Sequence, residues 1–344
     1  MSTKQRVILT GGLGFIGSHT AVELSKKGFE TIIIDNLDNS DAKVLDAVRE
    51  LCDQEVYFEE TDLKDKSATE MIFEKYDNIC GIIHFAAHKA VGESMTQPLK
   101  YFDNNFNSLI NILSAQLKFD IPNLIFSSSC TVYGETEILP VTEETPFGYT
   151  FSPYGYTKQV GECMLDHFTH ANKNCNVISL RYFNPIGAHP SAKIGELPSG
   201  KPENLMPFIT QTVAGIRDEL SVFGGDYDTR DGTAIRDYIY VVDLAEAHVI
   251  SLQRLLDKKN EHRHERFNIG SGNGYTVLEV IQSFERSTGL KVNYKIVDRR
   301  PGDTEAIYAD TQRSRNVLNW QPKHGIDDMT RTAWEWEKKL RGIN

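Results

Sequence analysis

Long apolar runs, a cysteine framework and an excess of positive charge are all missing from this chain. No apolar run in its 344 residues approaches the ~20 that a helix needs to cross a bilayer, which argues against a membrane protein. The N-terminus does not read as a signal peptide, because its first apolar run belongs to a strand entering a glycine-rich turn. The five cysteines (Cys52, Cys80, Cys130, Cys163, Cys175) are odd in number and show no C-x-x-C spacing. That argues against disulfides or a zinc site and fits free thiols in a reducing cytosol. Each is more readily a small buried residue than a nucleophile. The pair His262-x-His264 lies in the polar stretch from Asp257 to Arg266, expected to be a solvated loop, so no metal site is expected. A net charge of −11 argues against nucleic acid or anionic membranes as partners. It leaves room for an anionic small substrate held by local cations, because salt confines surface fields to about 8–10 Å. No internal repeat or low-complexity tract is present. What remains is ordinary for a globular enzyme, 40% apolar and 25% charged, on a chain long enough for two domains.

The N-terminal segment carries the first chemical signal. Lys4 to Thr10 ends in a β-branched apolar run that reads as a buried strand. Gly11-Gly12-Leu13-Gly14-Phe15-Ile16-Gly17 follows, then an amphipathic stretch through Lys27. Gly12, Gly14 and Gly17 fit G-x-G-x-x-G, and Gly11, Gly14 and Gly17 fit the looser G-x-x-G-x-x-G. Such glycines permit a tight turn and let backbone N–H groups approach a pyrophosphate at a helix N-terminus. A second apolar strand, Thr31 to Ile34, ends in Asp35. An acid about 20 residues past the fingerprint suits the ribose 2′-hydroxyl of NAD and would repel the 2′-phosphate of NADP.

Beyond it, strand candidates (Val56–Glu59, Gly81–Phe85, Leu124–Ser127, Val177–Tyr182) alternate with helix candidates near 41–51, 66–76, 97–118 and 154–172. This order predicts an α/β fold, a Rossmann-type doubly wound parallel sheet. From about 184, prolines and glycines mark loops and mixed short elements. The expectation is a dinucleotide-binding domain over 1–183, completed by segments near 235–262. A smaller α/β substrate-binding domain takes 184–344, with ligand in the crevice at the strand C-terminal ends.

Tyr154 and Lys158 stand four apart after Ser152-Pro153, a helix start, and so share one helix face. A free phenol loses its proton only near pH ~10, and a neighbouring cation favours the phenolate. The pair alone is open to a bland reading, an interface tyrosine and a solvated lysine. Phe126-Ser127-Ser128-Ser129 ends a strand, which puts Ser129 near the cofactor edge, although serine runs there also serve turns. Ala86 and Ala87 would let a nucleotide approach, and Lys89 could reach substrate. Arg236-Asp237-Tyr238 and Arg299-Arg300-Pro301-Gly302-Asp303 offer guanidinium forks for phosphates.

The motifs Thr10-Gly-Gly-x-Gly-Phe-Ile-Gly-Ser-His19, Asp35-Asn-Leu37, Ala90-Val-Gly-Glu-Ser94, Phe126-Ser-Ser-Ser-Cys-Thr-Val-Tyr-Gly134, Ser152-Pro-Tyr-Gly-Tyr-Thr-Lys158 and Arg181-Tyr-Phe-Asn-Pro-Ile-Gly-Ala-His-Pro190 resemble those of the extended short-chain dehydrogenase/reductases. Asn204-Leu-Met-Pro207, Gly232-Thr-x-x-Arg-Asp-Tyr238 and Arg300-Pro-Gly-Asp303 narrow the likeness to the UDP-glucose 4-epimerase family, over about residues 5–340. The resemblance implies roles. Tyr154 would be the acid/base. Lys158 would hold the nicotinamide ribose and lower the phenol's pKa, and Ser129 would bond the sugar O4. Lys89, Tyr182 and Asn184 would line the sugar site. Besides Gly11, Gly14 and Gly17, the NAD contacts would be Phe15, Ile16, Asp35, Asn36, Asn39, Ser40, Asp62, Leu63, Phe85, Ala86, Ala87, Asn104 and Phe183. Lys89, Ser129, Tyr154 and Lys158 would border both ligands. Asn204, Leu205, Phe223, Arg236, Tyr238, Arg300 and Asp303 would hold UDP.

The activity so implied is interconversion of UDP-glucose and UDP-galactose through a 4-keto sugar, with hydride passing to NAD and back, in a cytoplasmic homodimer paired through the helices near 97–118 and 154–172. Related 4,6-dehydratases carry an Asp-Glu pair just after the catalytic serine or threonine. Cys130 and Thr131 stand there, so dehydration is disfavoured. Uronic-acid epimerisation stays open, as does a non-catalytic NAD-sensing scaffold, although such proteins usually lose the tyrosine or lysine. Ile307 occupies a place where the family varies between a bulky aromatic and a smaller residue, which leaves N-acetylated UDP-sugars open as substrates.

Overall fold

The computed structural model describes residues 4–300 and 303–343. Pro301 and Gly302, in the arginine motif of the second half, lie outside the described residues. In chain order the elements begin β1 (Arg6–Thr10), α1 (Phe15–Lys26), β2 (Glu30–Asp35), α2 (Lys43–Leu51), β3 (Val56–Glu60), α3 (Lys66–Lys75), β4 (Ile79–His84), α4 (Val91–Thr96), α5 (Pro98–Lys118), β5 (Asn123–Ser127), α6 (Pro153–Ala171) and β6 (Asn176–Tyr182). They continue with β7 (Asn184–Ile186), α7 (Leu205–Val213), β8 (Leu220–Phe223), β9 (Ile235–Tyr240), α8 (Val241–Leu256), β10 (His264–Ile269), β11 (Gly274–Thr276), α9 (Val277–Thr288), β12 (Tyr294–Val297), β13 (Ala306–Ile307), α10 (Gln312–Val317) and α11 (Ile326–Arg341).

The chain divides into two compact units. The first comprises residues up to Gly134, Phe147–Arg181 and Ala245–Phe267. Its sheet has the order β10-β6-β5-β4-β1-β2-β3, and the pairs from β3 through β6 are parallel. The order reverses at β1, which pairs with β2 on one side and β4 on the other. That is the topological switch point of a doubly wound sheet, where the carboxyl ends of neighbouring strands open a ligand crevice. Helices cover both faces, so β1, β2, β4 and β5 are buried almost throughout, with Ile8, Ile32, Ile34, Ile82, Leu124 and Val177 in one core with Leu109, Ile112 and Leu165 of α5 and α6.

The helix expected near 97–118 is α5, and a short helix that was not expected, α4, precedes it. Pro98 has no N–H to continue α4 and pushes Gln97 out of helical geometry (φ −130°, ψ 55°), so α5 starts afresh with the proline in its first turn. The solvated loop expected over 257–266 is corrected at its end. His264 opens β10, and its buried ring lies 2.7 Å from Ser179 Oγ and 2.8 Å from Asp166 Oδ1. A polar run can enter a sheet when each polar atom finds a fixed partner.

The second unit comprises Glu135–Pro146, Tyr182–Leu244 and the residues from Asn268 onward. Its centre is β9, flanked by parallel β7 and β13 and antiparallel β11, with β8 and β12 forming a separate parallel pair. The buried Asp237 carboxylate ties this unit together, accepting the N–H groups of Ser271 (2.7 Å), Gly272 and Ala309 (both 3.1 Å). Burial pushes that carboxyl up to about 6 against these hydrogen bonds.

Candidate active site

At the switch point the turn after β1 is built from close approaches. Gly11 has φ +64°, and a Cβ there would lie 2.9 Å from the Ala86 nitrogen in the turn after β4. A Cβ on Gly17 would lie 2.4 Å from the Gly11 carbonyl oxygen. Both glycines are demanded by the fold itself. Gly14 is different, because its Cβ would meet only the Gly11 oxygen, at 3.2 Å. Gly14 is also the N-cap of α1 and offers no side chain to the first turn, so N–H groups there face outward without an internal cap. A bare helix start beside a missing Cβ is the cradle a pyrophosphate needs. Asp35 at the end of β2 accepts from Leu13 N (3.1 Å), Leu37 N (3.0 Å) and Ser40 Oγ (2.7 Å). A carboxylate has about four acceptor positions, so one remains for a ribose hydroxyl. These residues fit a dinucleotide.

The other expected cofactor contacts sit around the same strand ends. Phe15 and Ile16 form the first turn of α1, and Asn36 and Asn39 lie in the turn with Ser40. Phe85 donates its N–H to the Thr10 carbonyl and packs in a tilted contact on His248, ring centres 4.6 Å apart, and Ala86 and Ala87 follow it. Asp62 is exposed after β3, whereas Leu63 turns its side chain into the core and can present only its backbone. Asn104 is half-buried on α5, Lys89 is exposed beside α4, and Phe183 lies buried just past β6.

Tyr154 and Lys158 lie one turn apart on α6, whose start is fixed by Ser152 Oγ accepting the Gly155 N–H at 3.1 Å, with Pro153 in the first turn. The Ser129 hydroxyl, just past β5, caps the short 3-10 turn Cys130–Tyr133 and lies near enough to the Tyr154 phenol to favour its ionised form. Acid/base and sugar-oxygen candidates therefore meet. One expectation is corrected. Burial pushes the phenol up to about 12, with Ser129 pulling against it, and Lys158 does not lower it. The reason is geometric: the Lys158 Nζ donates to the Ser127 carbonyl (2.7 Å) and stands 5.8 Å from the Tyr154 ring centre. Lys158 is itself 5% exposed, and burial without a carboxylate pulls its ammonium down to about 7.

Sequence reasoning missed three supports. Asn105 donates to the His88 carbonyl (3.1 Å) and to Thr157 Oγ1 (3.0 Å) and accepts the His88 N–H (2.8 Å), pinning the Phe85–Lys89 turn to α6. Thr157 Oγ1 in turn donates to the Tyr154 carbonyl at 2.7 Å. His84 is buried beside Thr10 Oγ1 (2.8 Å), and burial with nearby Lys158 drives it down to about 3, so it stays neutral. The third is the buried pair of Glu162 and Arg181. A neighbouring Ser179–His264–Asp166 chain has the bond order of a hydrolase triad, but Ser179 has no exposed surface and no substrate can reach it.

The second unit holds the expected diphosphate groups. The Asp303 carboxylate pairs with Arg236 and, at 3.5 Å, with Arg300. Arg300 lies over the Phe223 ring at 5.0 Å, and Tyr238 is buried on β9. Arg299 pairs with Asp226 and stacks on Tyr227 at 4.0 Å. Asn204 caps the start of α7 without bonding it, because its amide is turned to Glu196, and Leu205 follows in the first turn. Tyr182 and Asn184 stand at the end of β6 and in β7.

A parallel doubly wound sheet with a glycine cradle, an acid at the second strand and a Ser–Tyr–Lys set defines a dinucleotide-dependent enzyme of the short-chain dehydrogenase type. The model of the NAD dependent epimerase/dehydratase family matches residues 7–270, and the chain belongs to that family. It is 45% identical over 331 residues to UDP-glucose 4-epimerase of Bacillus subtilis, covering 96% of each chain. It is 43% identical over 341 residues to the human UDP-glucose 4-epimerase, covering 97% of each. Among solved structures, it is similar to UDP-glucose-4-epimerase of Stenotrophomonas maltophila with bound NAD and formylated UDP-arabinopyranose (TM-score 0.94, 42% identity, 99% of this chain and 100% of that one). It is similar also to the Bifidobacterium longum enzyme in complex with NAD+ and UDP (TM-score 0.93, 41% identity, 99% and 100%).

Proposed function

We propose that the protein interconverts UDP-glucose and UDP-galactose by epimerisation at C4, as an NAD-dependent isomerase. The observation that carries the reading is the Tyr154 phenol beside the Ser129 hydroxyl, on the helix that also carries Lys158, at the switch-point end of the sheet. The family and the curated relatives support the same chemistry.

Gly11, Gly14, Gly17 and the α1 N-terminus would hold the NAD pyrophosphate, Asp35 a ribose, and Lys158 the nicotinamide ribose. When bound, NAD supplies a reversible hydride acceptor at the sugar C4 and a positively charged ring. Tyr154 takes the proton from the sugar 4-hydroxyl and later returns it to the same oxygen. Burial alone holds the phenol in its acid form, so the phenolate depends on the Ser129 hydroxyl and on positive charge brought beside it. Ser129 steadies the reacting oxygen. The 4-keto sugar must show both faces, so Lys89, Tyr182 and Asn184 would contact it loosely. Arg236, Arg300, Phe223, Tyr238, Asn204 and Leu205 would hold UDP, with Asp303 aligning the two arginines.

A homodimer fits the apolar face of α5, where Leu99, Ile110 and Leu117 are exposed, Phe102 and Phe106 are half-buried, and Phe102 packs on the exposed Tyr156 of α6. The free cysteines suit a reducing cytoplasm. Incubation with UDP-galactose, following UDP-glucose by chromatography, tests the reading. Formation of UDP-glucose without added reductant is expected, and no conversion sinks it.

A further inference from the structure

Glu162 lies on α6 one turn past Lys158 and two past Tyr154, and has no exposed surface. Its Oε1 accepts from Ser128 Oγ (2.5 Å) and Arg181 Nε (2.9 Å), and its Oε2 from Arg181 Nη2 (2.7 Å) and Arg266 Nε (2.8 Å). The acceptor positions of the carboxylate are thereby filled. Arg181 reaches further: its Nη1 donates to the Tyr133 hydroxyl at 3.2 Å, and its guanidinium lies over the Tyr133 and Phe147 rings. One carboxylate thus joins α6, the end of β5, the 3-10 turn, β6 and β10. Two of these attachments flank Ser129. Ser128 precedes it, and Tyr133 ends the turn that Ser129 caps.

Stability alone is a weak reason for such a pair, because well-packed apolar residues often stabilise a core as well as a buried ion pair does. What a bidentate, saturated pair supplies is fixed geometry. We propose that Glu162 is a positioning residue: through Ser128 and Arg181 it locks the Ser129 turn onto α6 and so holds the Ser129 hydroxyl on the Tyr154 phenol. The proposal rests on the epimerase reading of Ser129 and Tyr154.

The groups around Tyr154 are Ser129 and Cys130 from the turn and Lys158 on its own helix. Around Glu162 they are Ser128, Arg181 and Arg266, with Asp166 and His264 bonded to Arg266. The Ser129 hydroxyl favours the phenolate against burial. Loosening it makes Tyr154 harder to ionise, so the rising limb of the kcat–pH profile moves to higher pH.

The test is Ser128→Ala in the NAD-loaded enzyme, which removes one bond and leaves the Glu162–Arg181 pair intact. Expected are a wild-type melting midpoint and NAD content, an unchanged KM for UDP-galactose, and a kcat about 10-fold lower, since misplacement by a fraction of an ångström costs rate rather than binding. The pH profile shifts upward, and crystal structures of the two proteins show Ser129 Oγ farther from the Tyr154 hydroxyl in the variant than in the wild type. Glu162→Gln shows the same pattern more strongly; because it also strains the fold, Ser128→Ala carries the decision. A wild-type kcat with an unshifted profile overturns the proposal, as does a kcat loss that only tracks lost folded protein. Tyr154→Phe in the same assay separates the two failures. A silent Ser128→Ala beside an inactive Tyr154→Phe removes the positioning role alone, whereas an active Tyr154→Phe removes the epimerase reading.

Discussion

Two neighbouring stretches of α6 place ionisable groups out of water and treat them in opposite ways. Lys158, one turn past Tyr154, is driven towards its neutral form, and the phenol of Tyr154 is held in its own. One turn further, burial would raise Glu162 and lower Arg181, yet their mutual bonding outweighs burial, holding the carboxyl below its usual range and the guanidinium above its own. Burial does not separate the two, since Lys158, Glu162 and Arg181 are all 5% exposed or less. Partners do. Glu162 and Arg181 neutralise each other, whereas Lys158 has the Ser127 carbonyl and aromatic faces but no carboxylate among its described contacts. A charge left uncompensated titrates near neutral pH and can serve chemistry, and a compensated one serves geometry.

The comparison breaks most sharply at Tyr154. Tyr154→Phe should lower kcat by about 10²–10⁴-fold, the worth of one positioned acid/base, with a KM for UDP-galactose near wild type. Glu162→Ala strands the Arg181 charge in the core. Urea unfolding should show a loss of about 3–5 kcal/mol, as for other broken buried pairs. A loss of a few tenths would mean that the pair is dispensable to both fold and site.

Lys158 sharpens the contrast because its stability effect has the other sign. Its folded pKa of about 7 lies below the ordinary lysine value of 10.5, so between these values the unfolded chain binds more protons than the folded one. Stability of the NAD-free protein therefore rises with pH across that window, and the burial penalty is fully present below it. Lys158→Met should flatten this rise, increase the melting midpoint at pH 7 by a few degrees, and abolish most turnover. A lower midpoint would show that the ammonium is compensated after all.

How much of this was legible beforehand follows from the reach of each interaction. The glycine cradle, Asp35 and the Tyr154–Lys158 pair are local patterns, and the matching motifs placed them on the correct elements. Asn105 with Thr157, and Glu162 with Arg181, join residues 52 and 19 positions apart, and nothing in either segment announces the other. His264 looked solvated because its neighbours are polar, while its partners Ser179 and Asp166 come from β6 and α6. The direction of the Tyr154 shift is non-local in the same way. Spacing put lysine and tyrosine on one face, but the Ser127 carbonyl, supplied by β5, decides where the ammonium points.

The smallest effect concerns Ile307, in the second unit, where no charge is at stake. It is 8% exposed on β13, opposite Arg236 of β9, so its side chain sits beside an expected diphosphate ligand in the sheet register. Apolar pockets discriminate weakly, by roughly 10–200-fold for each methylene gained or lost. Ile307→Ala should therefore raise kcat/KM for UDP-N-acetylgalactosamine relative to UDP-galactose by about 10-fold, and Ile307→Tyr should lower it by a similar factor. Both are read by competition in one vessel, where the ratio is independent of enzyme concentration. The Tyr154 and Lys158 variants act on the reaction common to both sugars and should leave that ratio unmoved. If the ratio ignores both Ile307 substitutions, another residue sets the space at C2.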